Sequence, residues 1–221
     1  MADERRRAWW DLPVTIAVAI AIVLLFTTFV AKPFSIPSGS MENTLQIGDR
    51  ILVNRLVYRV RPIERGDVVV FDGTDSFVPA SAVPERDPLT GAIAYVAQSF
   101  GLMAPDNTDF VKRVIGVGGD RVVCCDGTGR VLVNGNPLDE NEYLFPGDVP
   151  STQSFDVVVP PGMLWVMGDH RSNSSDSRFH LGDPGGGFVP EERVVGRAMT
   201  VLWPIARVGS IDIPEAFTSA S

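Results

Sequence analysis

At 221 residues, 45% hydrophobic and 21% charged, the chain can bury the core of one ordinary domain and is no disordered tail. Its formal net charge of -8 argues against nucleic acid as a partner, because phosphate contacts need clustered Lys and Arg. The 17 prolines and 21 glycines are spread along the chain, which points to many short strands and turns.

The first element is LPVTIAVAIAIVLLFTTFVA, residues 12–31, without a charge. As a helix this run is about 30 Å long, the thickness of a bilayer's hydrocarbon core. Arg5, Arg6 and Arg7 precede it, and Trp9 and Trp10 sit where an aromatic belt belongs. The run is expected to be a single transmembrane anchor in the cell membrane. Residues 1–11 would be cytoplasmic and residues 32–221 would form an extracytoplasmic domain. A cleaved signal peptide would have a shorter apolar run ending in small residues, and FTTFVAKPF offers no convincing A-x-A.

Strand patterns follow. Residues 51–54 (ILVN), 67–71 (DVVVF), 110–117 (FVKRVIGV), 121–125 (RVVCC) and 130–135 (RVLVNG) are short β-branched runs. So are 155–159 (FDVVV), 163–169 (MLWVMGD) and 194–203 (VVGRAMTVLW), and DGTG at 126–129 is a hairpin signal. With no alternation of helix and strand, the fold class is mainly β: an antiparallel catalytic sheet domain preceded by one N-terminal transmembrane helix. Residues of about 124–155 form a small β extension.

Residues 74–108 depart from the pattern and read as an insertion. Its run Gly91 to Ala104 is too short to span a bilayer. It suits either an amphipathic element on the membrane surface or a buried helix. The neighbours Cys124 and Cys125 cannot be a C-x-x-C pair or a zinc site; two thiols on opposite faces of one strand are expected, with a strained disulfide between the neighbours as the alternative. Nothing in the sequence calls for a metal or an organic cofactor.

The stretch SIPSGSMENTL, Ser35 to Leu45, places three serines just past the apolar run. A serine hydroxyl is a weak nucleophile until a neighbour takes its proton. The two histidines are His170 and His180. Asp169 and His170 would lie on opposite faces of a strand, unable to act as orienter and base. Of 19 basic residues only Lys32 and Lys112 are lysines. Lys32 sits at the membrane edge, where snorkelling explains it. Lys112 lies inside FVKRVIGV beside Arg113, so one of the two should enter a dry site while the other meets solvent. An ordinary exposed strand lysine is the alternative.

At this point the motifs resemble a family. SGSM (38–41), GDRILVN (48–54), RGDVVVF (65–71), KRVIGVGGD (112–120) and GDHRSNSSDSR (168–178) are similar, in order and spacing, to those of type I signal peptidases. These are membrane-bound Ser/Lys proteases that remove signal peptides from exported preproteins. The resemblance implies Ser40 as nucleophile and Lys112 as general base. It implies an oxyanion hole from the Ser38 hydroxyl and the Ser40 N–H, and Ser174 as the residue orienting the lysine. Asp176 and Arg178 match a supporting salt bridge and Asp169 a structural support. Phe34, Ile36, Pro37, Met41, Leu45 and Val111 would line shallow pockets for small residues at -1 and -3. Gly118, where the family often has proline, and His170, where asparagine is common, depart from the pattern. Ser40 lies eight residues beyond Lys32, a reach of at most ~28 Å. That reach keeps Ser40 near the membrane surface, and the partners the resemblance implies are the lipid membrane and exported preproteins.

Overall fold

A computed structural model describes residues 2–82, 87, 90, 91, 94, 97, 108–183 and 185–218. The N-terminal helix α1 runs Ala2–Phe29. Leu12, Val14, Ile16, Val18, Ile20 and Ile22 stand exposed along it. Among the described residues no helix is long and apolar enough to cross a membrane. The helix stops two residues short of the apolar run's end. Pro33 disfavours helical backbone at Lys32, and Ala31 is instead the first residue of β1 (Ala31–Ser35), paired with Asn54.

The expected β-branched runs all form strands. In the larger sheet, β1 pairs with β2 (Arg50–Asn54), then come β11 (Val194–Trp203), β3 (Val68–Asp72), β4 (Asp109–Val117), β9 (Met163–Met167) and β10 (Val189–Pro190). A short strand β12 (Gly209–Ser210) pairs with β11. A smaller sheet has the order β7 (Asn136–Pro137), β6 (Val131–Val133), β5 (Arg121–Cys124), β8 (Phe155–Val158). Every pairing between these strands is antiparallel.

The apolar run of β3 is continuous because both its faces are covered. Val68 and Val70 pack with Phe34, Ile36, Met41 and Leu45, while Val69 and Phe71 pack with Phe77, Val114 and Val166 on the other side. A third core joins the two sheets through Ile115, Trp165, Val122 and Phe155. The start of the 74–108 insertion is part of this packing, since the Phe77 ring lies 5.4 Å from both Phe71 and Phe110. Of the run 91–104, only residues 91, 94 and 97 are described, so the reading of that run lies outside the described residues.

One expectation is corrected here. Cys124 and Cys125 are not two thiols but one disulfide. The peptide between them is cis and β5 ends at Cys124.

Candidate active site

The loop from Ile36 to Asp49 carries Ser40 between β1 and β2. It is tied shut by Ile36 N–H donating to the Asp49 carbonyl and Gly48 N–H to the Ile36 carbonyl, both at 2.9 Å. Fully buried Met41 and Leu45 pin its middle to the core. Ser40 is thereby held by the residues that follow it, and it is itself buried.

Strand β4 supplies the partner. Lys112 Nζ donates to Ser40 Oγ at 2.6 Å, and Lys112 is only 3% exposed. Burial is the main influence on this amine and lowers its pKa from 10.5 to about 8, against the opposing pull of the Asp176 and Asp169 carboxylates and with help from Arg178. At pH 7 a lysine so placed is a free amine about a tenth of the time, against roughly 0.04% for an exposed lysine.

Arg113 corrects the expectation that one of these neighbours meets solvent: it is buried too. Its guanidinium donates to both oxygens of Asp169, at 2.8 and 2.7 Å, and to the Gly66 carbonyl at 2.9 Å. It also lies over the Tyr143 ring, 4.5 Å from the centroid. Because the sheet is covered on both faces at this point, opposite faces do not mean one wet and one dry. Asp169 is thus a buried structural carboxylate, which also accepts from the Thr44 hydroxyl. It does not serve His170, although the strand argument behind that expectation fails because β9 ends at Met167. The Nδ1 of His170 instead faces Glu42 Oε2 at 3.0 Å and the Gly39 carbonyl at 3.2 Å, and its ring stacks on Phe145.

Behind Lys112 stands Asp176, fully buried. Burial pushes its carboxyl up, but the bidentate Arg178 guanidinium and the hydrogen bonds from Gly168 N–H and Ser174 outweigh this and hold it below its ordinary value. Arg178 also donates to the Arg171 carbonyl at 2.9 Å, so the expected salt bridge is a locked one. Ser174 is buried, but its hydroxyl donates to Asp176 at 2.8 Å and makes no hydrogen bond to Lys112 among the described residues. Gly168 explains how these parts come so close. A Cβ there would lie 2.3 Å from Ser174 Oγ and 2.4 Å from the Ser40 carbonyl oxygen.

Ser38 and Pro37 are exposed on the loop just before Ser40. Phe34, Ile36, Met41 and Leu45 are buried in a single cluster, with Val111 half-buried against it. The sequence analysis gave no role to Glu42, Thr44 or Gly168. All three lie inside the quoted stretches, but what they meet is far off in the chain: His170, Asp169 and the Ser40 carbonyl. Among the described residues no group of three or more His, Cys, Asp or Glu side chains could hold a metal ion.

The family described as "Signal peptidase, peptidase S26" matches residues 9–203. Antiparallel sheets presenting a buried serine against a buried lysine, together with that match, define a serine peptidase. The chain belongs to the signal peptidase family, peptidase S26. It is 38% identical over 235 residues to the "Probable signal peptidase I" of Mycobacterium leprae (strain TN), covering 94% of this chain and 81% of that protein. It is likewise 38% identical over 227 residues to "Signal peptidase I" of Mycobacterium tuberculosis (strain ATCC 25618 / H37Rv), covering 94% and 76%. A crystal structure of a signal peptidase I from Enterococcus faecalis V583 aligns with a TM-score of 0.38 and 21% identity, over 62% of this chain and 97% of that chain.

Proposed function

We propose that the protein is a membrane-bound serine endopeptidase that removes N-terminal signal peptides from exported preproteins, cutting after small residues at -3 and -1. The observation that carries this reading is the 2.6 Å contact between Ser40 Oγ and the Nζ of buried Lys112. In the proposed mechanism neutral Lys112 takes the Ser40 proton as Oγ attacks the scissile carbonyl. The Ser40 N–H and the Ser38 hydroxyl stabilise the oxyanion. Protonated Lys112 then gives its proton to the leaving amine, and water, activated by the same lysine, releases the acyl group from Ser40. Ser174, Asp176 and Arg178 act through Lys112 by fixing the charge around it. The cluster of Phe34, Ile36, Met41 and Leu45, with Val111 and Pro37 at its edge, forms the apolar wall against which small substrate side chains fit.

Membrane attachment through residues 12–31 is supported by the uncharged run and by the exposed apolar side chains of α1. Arg5 to Arg7 favour a cytoplasmic N-terminus, with residues 32–221 as the extracytoplasmic catalytic domain. Cleavage of a preprotein by the full chain in detergent tests the proposal. N-terminal sequencing should place the cut after the small residue at -1, and Ser40→Ala should release no product while melting as the unaltered chain does. Product from Ser40→Ala would sink the reading.

A further inference from the structure

The mechanism above leaves His180 without a task, and its surroundings are ordered. Its Nδ1 lies 2.6 Å from Asp183 Oδ2 and its Nε2 lies 3.0 Å from Ser175 Oγ. The ring stacks on Phe77 with centroids 4.3 Å apart and planes 9° apart. Phe77 is itself held between Phe71 and Phe110, so the imidazole plane is fixed from the core outward. The backbone keeps His180 and Asp183 in place: Asp183 N–H donates to the His180 carbonyl at 3.0 Å, and Gly186 N–H to the Asp183 carbonyl at 2.8 Å.

The polarity of these contacts follows from their chemistry. A carboxylate only accepts, so it holds the imidazole proton on Nδ1. The lone pair of Nε2 then faces the Ser175 hydroxyl. This is the relation of nucleophile, base and orienter in a Ser-His-Asp arrangement, which is recognised by geometry rather than chain order. Ser175 is exposed, so an electrophile can reach it. Its neighbour Ser174 turns inward to Asp176, which keeps the two serines in separate networks. Phe179 and Leu181 stand exposed nearby in the chain and offer apolar surface.

We propose that Ser175, His180 and Asp183 form a second nucleophilic centre, distinct from Ser40 and Lys112, that hydrolyses small acyl esters with a good leaving group. Such esters make the smallest demand on donors to a developing oxyanion, which suits an open surface site. Ser175 Oγ attacks the ester carbon as its proton passes to His180 Nε2. The bond from carbon to the alcohol oxygen breaks, and the alcohol leaves with the proton from His180. Water then attacks the acyl carbon, giving one proton to His180, and the carboxylic acid leaves as Ser175 recovers its proton.

A tagged fluorophosphonate, added to the full chain in detergent, reads the nucleophile directly. Ser175 Oγ forms a bond to phosphorus, the phosphorus–fluorine bond breaks, fluoride leaves, and His180 keeps the proton. Peptide mass spectrometry should place the adduct on Ser175. His180→Ala should slow its formation by ~10²-fold or more, the usual worth of a positioned base. Asp183→Asn, at a half-exposed side chain, should slow it as well while preserving the melting temperature, and it decides the matter if His180→Ala does not fold. Hydrolysis of 4-nitrophenyl acetate above the buffer rate should fall in Ser175→Ala. The proposal is overturned by absence of an adduct on Ser175, by equal labelling rates in Asp183→Asn and the unaltered chain, or by ester hydrolysis that Ser175→Ala leaves unchanged.

Discussion

Gly168→Ala tests whether the active site depends on close approach rather than on composition. Gly168 is not among the positive-φ residues, so contact alone decides the effect. The added methyl would start 2.4 Å from the Ser40 carbonyl oxygen and 2.3 Å from Ser174 Oγ, against 3.4 Å or more for ordinary contact. Ser174 can turn, but the Ser40 carbonyl is backbone, and it also accepts from His170 N–H at 3.2 Å. Relief therefore requires Ser40 to move by about 1 Å, enough to lengthen a 2.6 Å contact with Lys112 beyond good hydrogen-bond geometry. A displacement of about 1 Å at a reacting centre costs on the order of 10²-fold in rate, or about 3 kcal/mol of barrier. Overpacking should also remove roughly 1–3 kcal/mol of stability. The assay is the turnover number on a preprotein at saturating concentration, run beside thermal melting of the same sample. A Gly168→Ala chain that melts like the unaltered chain and cleaves within threefold of its rate would refute the reasoning.

Two further outcomes follow from the same geometry. Asp169→Asn leaves the buried Arg113 guanidinium without its carboxylate, and breaking such a pair costs roughly 3–5 kcal/mol; a melting temperature unchanged from the unaltered chain would contradict the structural role assigned to Asp169. Ser38→Ala removes one proposed oxyanion donor and should lower turnover by ~10²–10³-fold with the fold intact, as measured by single-turnover cleavage. Loss as complete as in Ser40→Ala would mean that the two serines have been assigned the wrong roles.

The strands were legible because β-branched runs between Gly and Pro signals have few alternatives, as ILVN and DVVVF illustrate. β1 was hidden behind the end of an apolar run, and β7, β10 and β12 have two residues each, too few for a period to show. Lys112 was legible because lysine is scarce in this chain and arginine cannot act as a base. Arg113 was misjudged because strand alternation says which face a side chain takes, not whether that face is covered. Its carboxylate partner lies 56 residues away, a distance that no local pattern spans. The Cys124–Cys125 bond was missed because alternation along a strand assigns neighbouring side chains to opposite faces. The contacts of Ser175 and His180 were invisible for another reason: they depend on the turns between 175 and 183, where hydrophobic periodicity carries no signal.

The most direct test of the central claim is the pH dependence of kcat/KM for preprotein cleavage by the full chain, with Lys112→Arg measured alongside. A general base must be neutral in the free enzyme, so if Lys112 has the proposed role, activity has to rise as the amine loses its proton and not fall. Its lowered pKa puts the midpoint of that rise at about 8, whereas an unshifted lysine would put it near 10.4. At pH 8 the shift leaves about half of the amine neutral instead of roughly 0.4%. Arginine keeps the charge but stays protonated, so Lys112→Arg should fold and yet not cleave at any pH from about 6 to 10. Cleavage should show a single rising limb centred near pH 8 that vanishes in Lys112→Arg. A variant retaining more than about a tenth of the activity, a barrier increase under ~1.4 kcal/mol, would contradict it.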